Sequence, residues 1–214
     1  MRPPGVYRPQ ADTFLLSEAL RRTGTLPGAR VLDVCTGTGA VAVAAARNGA
    51  RRVTAIDVSG RAVLAARTNA RLHGLPVRVL RGDLLAPVAG EVFDVIVANP
   101  PYVLGEGAAP GRHASARAWN GGTDGRAVLD RLCALAPRHL APGGIMLMVH
   151  SALCGAGKTV RTLRDQGLNA TVVARAREPF GPVMRARAAA LEEGALIERG
   201  QRHEDLVVIR AERS

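Results

Sequence analysis

Short β-branched runs alternate with longer stretches rich in Ala, Leu and Arg along most of the chain. A strand pattern that repeatedly gives way to a helix pattern builds βα units, and successive βα units bury their strands in a parallel sheet. The candidate strands are residues 30–34, 52–57, 77–80, 93–98, 145–150, 170–174 and 206–210. Helices are expected over residues 11–22, 39–48, 60–73, 124–140 and 157–166, with a short one over 184–193. In the first, Phe14, Leu15, Leu16, Ala19 and Leu20 form an apolar face, and Asp12 or Thr13 is the expected cap. In the third, Ala62, Ala65, Ala66 and Leu72 recur at helical spacing, and His73-Gly74 supplies the stop. This order predicts an α/β, Rossmann-like, mostly parallel seven-stranded sheet with helices on both faces. Ligands of such a sheet bind beyond the carboxyl ends of its strands.

At 214 residues and 47 % hydrophobic the chain is long enough for one domain, 1–214, with an N-terminal helical segment over 1–25. No segment has the length and apolarity of a signal peptide or a membrane span, so no membrane is expected as a partner. Cys35, Cys133 and Cys154 stand at unrelated spacings, which suits a reducing cytoplasm better than a disulfide framework. His113, His139, His150 and His203 show no metal-ligand spacing, and no metal is expected. The formal charge of +11 invites a nucleic-acid or ribosomal partner. Yet Lys158 is the only lysine and the arginines are dispersed, a pattern that compositional bias also produces.

Three signals fall at successive strand ends. The first strand runs into Cys35-Thr36-Gly37-Thr38-Gly39, a turn whose glycines let backbone approach a ligand closely. Asp57 ends the second strand 20 residues beyond Gly37, where a carboxylate accepts from ribose hydroxyls. Asp83-Leu84 follows the third, an acid for the adenine amino group beside an apolar residue for the ring. Together they indicate an adenosine-containing ligand, and do not separate a nicotinamide dinucleotide from S-adenosylmethionine.

Asn99-Pro100-Pro101-Tyr102, at the end of the fourth strand, selects the chemistry. Two prolines remove two N–H donors and leave the backbone rich in acceptors. The Asn99 side-chain oxygen and the Pro100 carbonyl can then accept both hydrogens of one NH2 group, while Tyr102 offers a flat face to a planar amide or base. Such a nitrogen is a poor nucleophile, and holding both N–H bonds orients it toward a sulfonium methyl. Gly155-Ala156-Gly157-Lys158-Thr159 is only part of a phosphate loop, because Ala152 stands where its first glycine belongs. The long loop over 105–122, with Arg112, His113 and Trp119, reads as a lid or recognition element, and His150 as a loop histidine or a substrate contact.

These motifs resemble class I methyltransferases with an Asn-Pro-Pro-Tyr site, and more closely the HemK-like release-factor glutamine methyltransferases in their compact branch, which lacks an N-terminal helical domain. The resemblance spans Val6-Tyr7-Arg8-Pro9, Asp12-Thr13-Phe14-Leu15-Leu16, the strand-end motifs, Trp119-Asn120-Gly121-Gly122-Thr123-Asp124-Gly125 and Glu204-Asp205-Leu206-Val207-Val208-Ile209-Arg210. It implies an S-adenosylmethionine site lined by Thr13, Asp33, Cys35, Gly37, Asp57, Asp83, Leu84 and Asn99. It further implies that Asn99, Pro100, Pro101 and Tyr102 hold an acceptor glutamine of a protein such as a release factor; the runner-up acceptor is an exocyclic amine, adenine N6 or guanine N2, of RNA or DNA. Relatives often carry Gly where Cys35 stands, so that cysteine is expected to pack rather than react. Compact relatives also use a small zinc-binding activator subunit, and residues 179–200 are an insertion relative to that branch.

Overall fold

The computed structural model describes residues 3–104 and 120–214. Strands β1 (Arg30–Val34), β2 (Arg52–Asp57), β3 (Val77–Arg81), β4 (Phe93–Ala98) and β5 (Leu140–Ser151) run parallel to one another. The last strand, β7 (His203–Arg213), lies antiparallel between β5 and β6 (Leu168–Pro179). The sheet order is β3-β2-β1-β4-β5-β7-β6, so the chain builds outward from β1 and then returns to start again at β4. A crevice opens where the order reverses, beyond the ends of β1 and β4.

Alternation along the strands sorts the core into two layers. Val31, Val95, Val97, Ile145 and Leu147 share one apolar cluster with Leu16 and Leu20 of α1 (Ala11–Arg22), Val41 and Ala45 of α2 (Ala40–Arg47), and Val63 and Ala66 of α3 (Gly60–Leu72). Their sequence neighbours Leu32, Ile96, Met146 and Met148 join the other, with Leu129 and Leu132 of α4 (Leu129–Leu135) and Leu163 of α5 (Ala156–Asp165). Each such side chain, fully buried, contributes about 1.5–3 kcal/mol of transfer free energy. The expected mostly parallel sheet with helices on both faces is therefore observed.

A third, smaller core was not foreseen. Phe180, Met184, Ala188, Leu191 and Ile197 cluster around α6 (Pro182–Glu193) and pack on Leu104, with Val103 partly buried against them. Arg187 donates to the Leu104 carbonyl at 2.7 Å. Residues 179–200 thus rest on the backbone that follows the Asn-Pro-Pro-Tyr turn.

Several boundaries differ for physical reasons. α4 begins at Leu129 rather than 124 and ends at Leu135, followed by a 3-10 turn over Ala136–His139 with Pro137 in its first turn. The preceding glycines are consumed in a turn against Tyr102, described below. β6 and β7 extend beyond the expected strands because their antiparallel pairing continues from Leu168↔Arg213 to Pro179↔His203, past the apolar core, and β5 starts earlier because Leu140 pairs with Phe93 across a register shift. Gln10, not Asp12 or Thr13, precedes α1, and both of those side chains are buried. Leu72 and Phe14 are 71 % and 67 % exposed, so they belong to neither helix's buried face. Trp119, Arg112, His113 and most of the 105–122 loop lie outside the described residues. Among the described residues no helix is long and apolar enough to cross a membrane, and no group of His, Cys, Asp or Glu is placed to hold a metal.

Candidate active site

The carboxyl ends of β1, β2, β3 and β4 open onto a cavity of about 1040 Å³. Every residue expected at the cofactor or acceptor site lines it: Thr13, Asp33, Cys35, Gly37, Asp57, Asp83, Leu84, Asn99, Pro100, Pro101 and Tyr102.

Asp33 builds the loop after β1. Its carboxylate is 1 % exposed and accepts from the Thr36 hydroxyl at 2.5 Å and the Ala42 amide at 3.0 Å, tying the turn to the first residues of α2. Burial raises its pKa to about 7. Cys35 holds φ 60, a conformation that L side chains rarely adopt and glycine adopts freely. Burial pushes its thiol well above the ordinary range, and Asp57, Asp33 and Asp83 add to the rise, so it stays protonated and unreactive. The structure supports the packing role.

Asp57 accepts from the Gly37 amide through one oxygen and from the Ser59 amide through the other, both at 2.9 Å. Ser59 caps α3, accepting from the Ala62 amide at 3.4 Å. A carboxylate oxygen has more than one acceptor site, so Asp57 keeps capacity for ligand hydroxyls while its backbone bonds hold it still. Burial raises its pKa, an effect that backbone donors oppose. Asp83 forms a forked ion pair with Arg131 of α4, at 2.5 and 3.3 Å. Both side chains are more than half exposed, and such a pair is worth at most about 1 kcal/mol, so a ligand amine can displace the arginine at little cost.

At the acceptor end, the Asn99 amide nitrogen donates to the Thr13 hydroxyl at 3.3 Å. The Tyr102 hydroxyl donates to Asp12 Oδ2 at 3.0 Å, and its backbone carbonyl accepts from Cys154 Sγ at 3.1 Å. Burial, reinforced by the Asp12 charge, pushes the Tyr102 phenol well above its ordinary pKa. The Gly-Gly-x-x-Gly turn explains itself here. A Cβ on Gly121 would stand 2.8 Å from the Tyr102 Cα, and one on Gly125 would stand 2.5 Å from both the Tyr102 oxygen and Cys154 Sγ. The Val103–Asn120 bridge and the Gly121 amide, which donates to the Val103 carbonyl at 2.9 Å, return the chain to this point.

An N-terminal strap completes the wall. Gly5, Val6, Tyr7 and Pro9 line the cavity, and the Tyr7 hydroxyl donates to Asp12 Oδ2 at 2.8 Å. Glu204 of β7 lies near this cluster, its pKa raised by burial and further by Asp12. Asp12, Tyr7 and Arg131 escaped the residue-by-residue reading. Asp12 had a sufficient local explanation as a cap, and no local pattern announces a bond to a tyrosine 90 positions away.

Two expectations are corrected or closed. His150 is fully buried on β5 and is not among the residues that line the cavity, so the structure gives no support to a substrate contact. Its Nδ1 lies 2.8 Å from the Ser151 carbonyl, which only accepts, so the proton sits on Nδ1, and among the described residues Nε2 has no hydrogen-bond partner. The partial phosphate loop is occupied by protein: Arg126 donates to the Cys154 and Gly155 carbonyls and to the Thr159 hydroxyl.

Known proteins similar to this chain fall in one group. A family model described as the methyltransferase small domain matches residues 4–114. A protein of Methanocaldococcus jannaschii, assigned as a protein N5-glutamine methyltransferase, is 33 % identical over 181 residues, covering 85 % of this chain and 90 % of that protein. A release factor glutamine methyltransferase of Gloeobacter violaceus is 37 % identical over 164 residues, covering 72 % of this chain but 56 % of the relative, so the chain spans little more than half of that enzyme. Among solved structures, Mtq2 of E. cuniculi, in its complex with Trm112 and described as methylating the termination factor eRF1, superposes with a TM-score of 0.69 at 23 % identity, covering 98 % of this chain and 99 % of that one.

Proposed function

The chain belongs to the small-domain methyltransferases and, within them, to the protein-glutamine N5-methyltransferases, and from that premise we propose that it transfers a methyl group from S-adenosylmethionine to a glutamine side-chain amide of a translation release factor. The observation that carries the reading is the placement of Asn99–Tyr102 in the same cavity as Asp57, Gly37 and Leu84.

The residues fit the donor. Asp57 retains acceptor capacity for the two ribose hydroxyls, and Gly37 leaves open space where a side chain would stand. Asp83 meets an adenine amine, Leu84 its ring, and Thr13 with Asn99 flanks the remainder. When bound, S-adenosylmethionine supplies an electrophilic methyl carried on a sulfonium.

The chain's own residues then have one task, to present a weakly nucleophilic nitrogen. Asn99 Oδ1 and the Pro100 carbonyl accept its two hydrogens, and the Tyr102 ring bears on the amide plane. Positioning of this kind can supply several kcal/mol without a general base, because the nitrogen becomes strongly acidic only after it is alkylated and then releases its extra proton to solvent. Cys35 takes no part. Three unpaired cysteines suit a cytoplasmic setting, the compartment this reading assigns.

The same cradle accepts an exocyclic base amine, and the charge of +11 is the observation that favours RNA as the second reading. The test is transfer of label from S-adenosylmethionine to purified release factor, ribosomal RNA and duplex DNA, with and without a small partner subunit such as Trm112 beside Mtq2. Label on a release-factor glutamine, abolished in Asn99→Ala while donor binding persists, is the expected result. Label entering RNA and not protein overturns it.

A further inference from the structure

We propose that Asp12 is a positioning residue that, through Thr13, sets which atom of the Asn99 amide faces the acceptor. This rests on the glutamine-methyltransferase reading for the identity of the acceptor, and on hydrogen-bond polarity for everything else.

Asp12 is 2 % exposed and gathers four donors. Its Oδ1 accepts from the Thr13 amide at 2.5 Å and the Thr13 hydroxyl at 3.1 Å. Its Oδ2 accepts from the Tyr7 and Tyr102 hydroxyls at 2.8 and 3.0 Å. The two oxygens therefore divide the labour between Asn99 and Tyr102.

The direction of each bond follows from counting protons. A carboxylate only accepts, and a hydroxyl has one hydrogen. Thr13 spends that hydrogen on Asp12, so only its lone pairs remain for Asn99. An amide has one face that donates and one that accepts. The donating face must turn to Thr13, as the 3.3 Å contact from Asn99 Nδ2 shows, and Oδ1 is left for the cavity. The opposite rotation would set an oxygen against the Thr13 lone pairs. A carboxylate 87 positions earlier in the chain thus turns Asn99 into an acceptor of N–H bonds. Meanwhile Oδ2 holds the Tyr102 ring and ties the strap to it through Tyr7. Both phenols are raised by burial and by Asp12, so they remain donors at any working pH.

Two readouts test this. In the first, the Asn99 side-chain amide protons, assigned by their loss in Asn99→Ala, are followed by NMR exchange without any acceptor. Protection is expected in the wild type and its loss in Thr13→Val, which keeps the shape and removes the lone pairs. Unprotected protons in the wild type would overturn the proposal. In the second, kcat and the S-adenosylmethionine Kd are measured on whichever acceptor the wild type labels; a wild type that labels no release factor refutes the functional reading before any variant is made. Asp12→Asn can donate to Thr13 and release Asn99, so kcat is expected to fall about 100-fold with donor Kd changed less than tenfold. Thr13→Val should match it, Thr13→Ser should recover most of the rate, and the Asp12→Asn/Thr13→Val pair should be no slower than either alone. Multiplicative losses in the pair, or a fall in kcat that tracks only Tm or donor Kd, would show a merely structural role and sink the idea.

Discussion

Substituting Gly125 by Ala separates the acceptor wall from the donor site, because Gly125 itself does not line the cavity and presses only on Tyr102 and Cys154. Gly125 stands at φ +73, and its added Cβ would meet Cys154 Sγ and the Tyr102 oxygen, each at 2.5 Å. Holding an L residue in that conformation costs about 1–2 kcal/mol. Forcing a methyl into packed surroundings costs about 1–3 kcal/mol more. The sum, about 2–5 kcal/mol, is a large part of the ~5–15 kcal/mol that stabilises a domain of this size. Gly74→Ala isolates the conformational part, since Gly74 stands at φ +64 with nothing within 4 Å of the added atom. Urea unfolding of both variants should show Gly125→Ala more destabilised by about 1–3 kcal/mol, the entropy change of the unfolded chain cancelling in the difference. Because relief of the clash moves the Tyr102 backbone, kcat should fall by about 100-fold where donor Kd barely shifts. Equal stabilities of the two variants, or an unchanged kcat in Gly125→Ala, would refute the claim that this turn buttresses the acceptor site.

Asp57→Ala should weaken donor binding by about 1.5–3 kcal/mol, the value of hydrogen bonds to a charged group, in titration calorimetry, with kcat at saturating donor largely retained. His150→Met tests the buried imidazole, whose pKa burial lowers from 6.5 to about 4. A depressed histidine stabilises the fold above its unfolded pKa, and that contribution is lost as pH falls from about 6.5 toward 4, amounting to about 3 kcal/mol. Urea midpoints of His150→Met should therefore fall less steeply than those of the wild type across that window, and parallel curves would count against the assignment. Cys35 should resist iodoacetamide in the native state at pH 7.5, and Cys35→Gly, which relieves a φ of 60, should unfold within about 1 kcal/mol of the wild type.

Much of this was legible in the sequence because the signals are local. α1 matched its expected span because its apolar spacing and its basic last turn are contiguous. Asp57 and Asn99 declared themselves by position, each just beyond a β-branched run. What stayed hidden was non-local. The expected strand stops at 174, before the charged residues Arg175 and Arg177, and only pairing with Val207 and Asp205 of β7 carries β6 onward. Residues 124–128 carry a helical pattern, yet the close approach of Gly121 and Gly125 to Tyr102 claims them for a turn. Asp12 looked sufficient as a helix cap, and its partners Tyr7 and Tyr102 lie 5 and 90 positions away.

The insertion of β7 between two earlier strands has a consequence for biosynthesis. β6 touches the sheet only through β7, so when the ribosome has extruded Pro179 that strand has no edge to join. Residues 30–151 can assemble their parallel strands early, while β5 waits with one flank bare until His203–Arg213 arrives to bridge it to β6. An unpaired edge is a template for aggregation. A nascent chain stalled before Arg202 should accordingly be the sticky species, and a chain carried through residue 213 the soluble one.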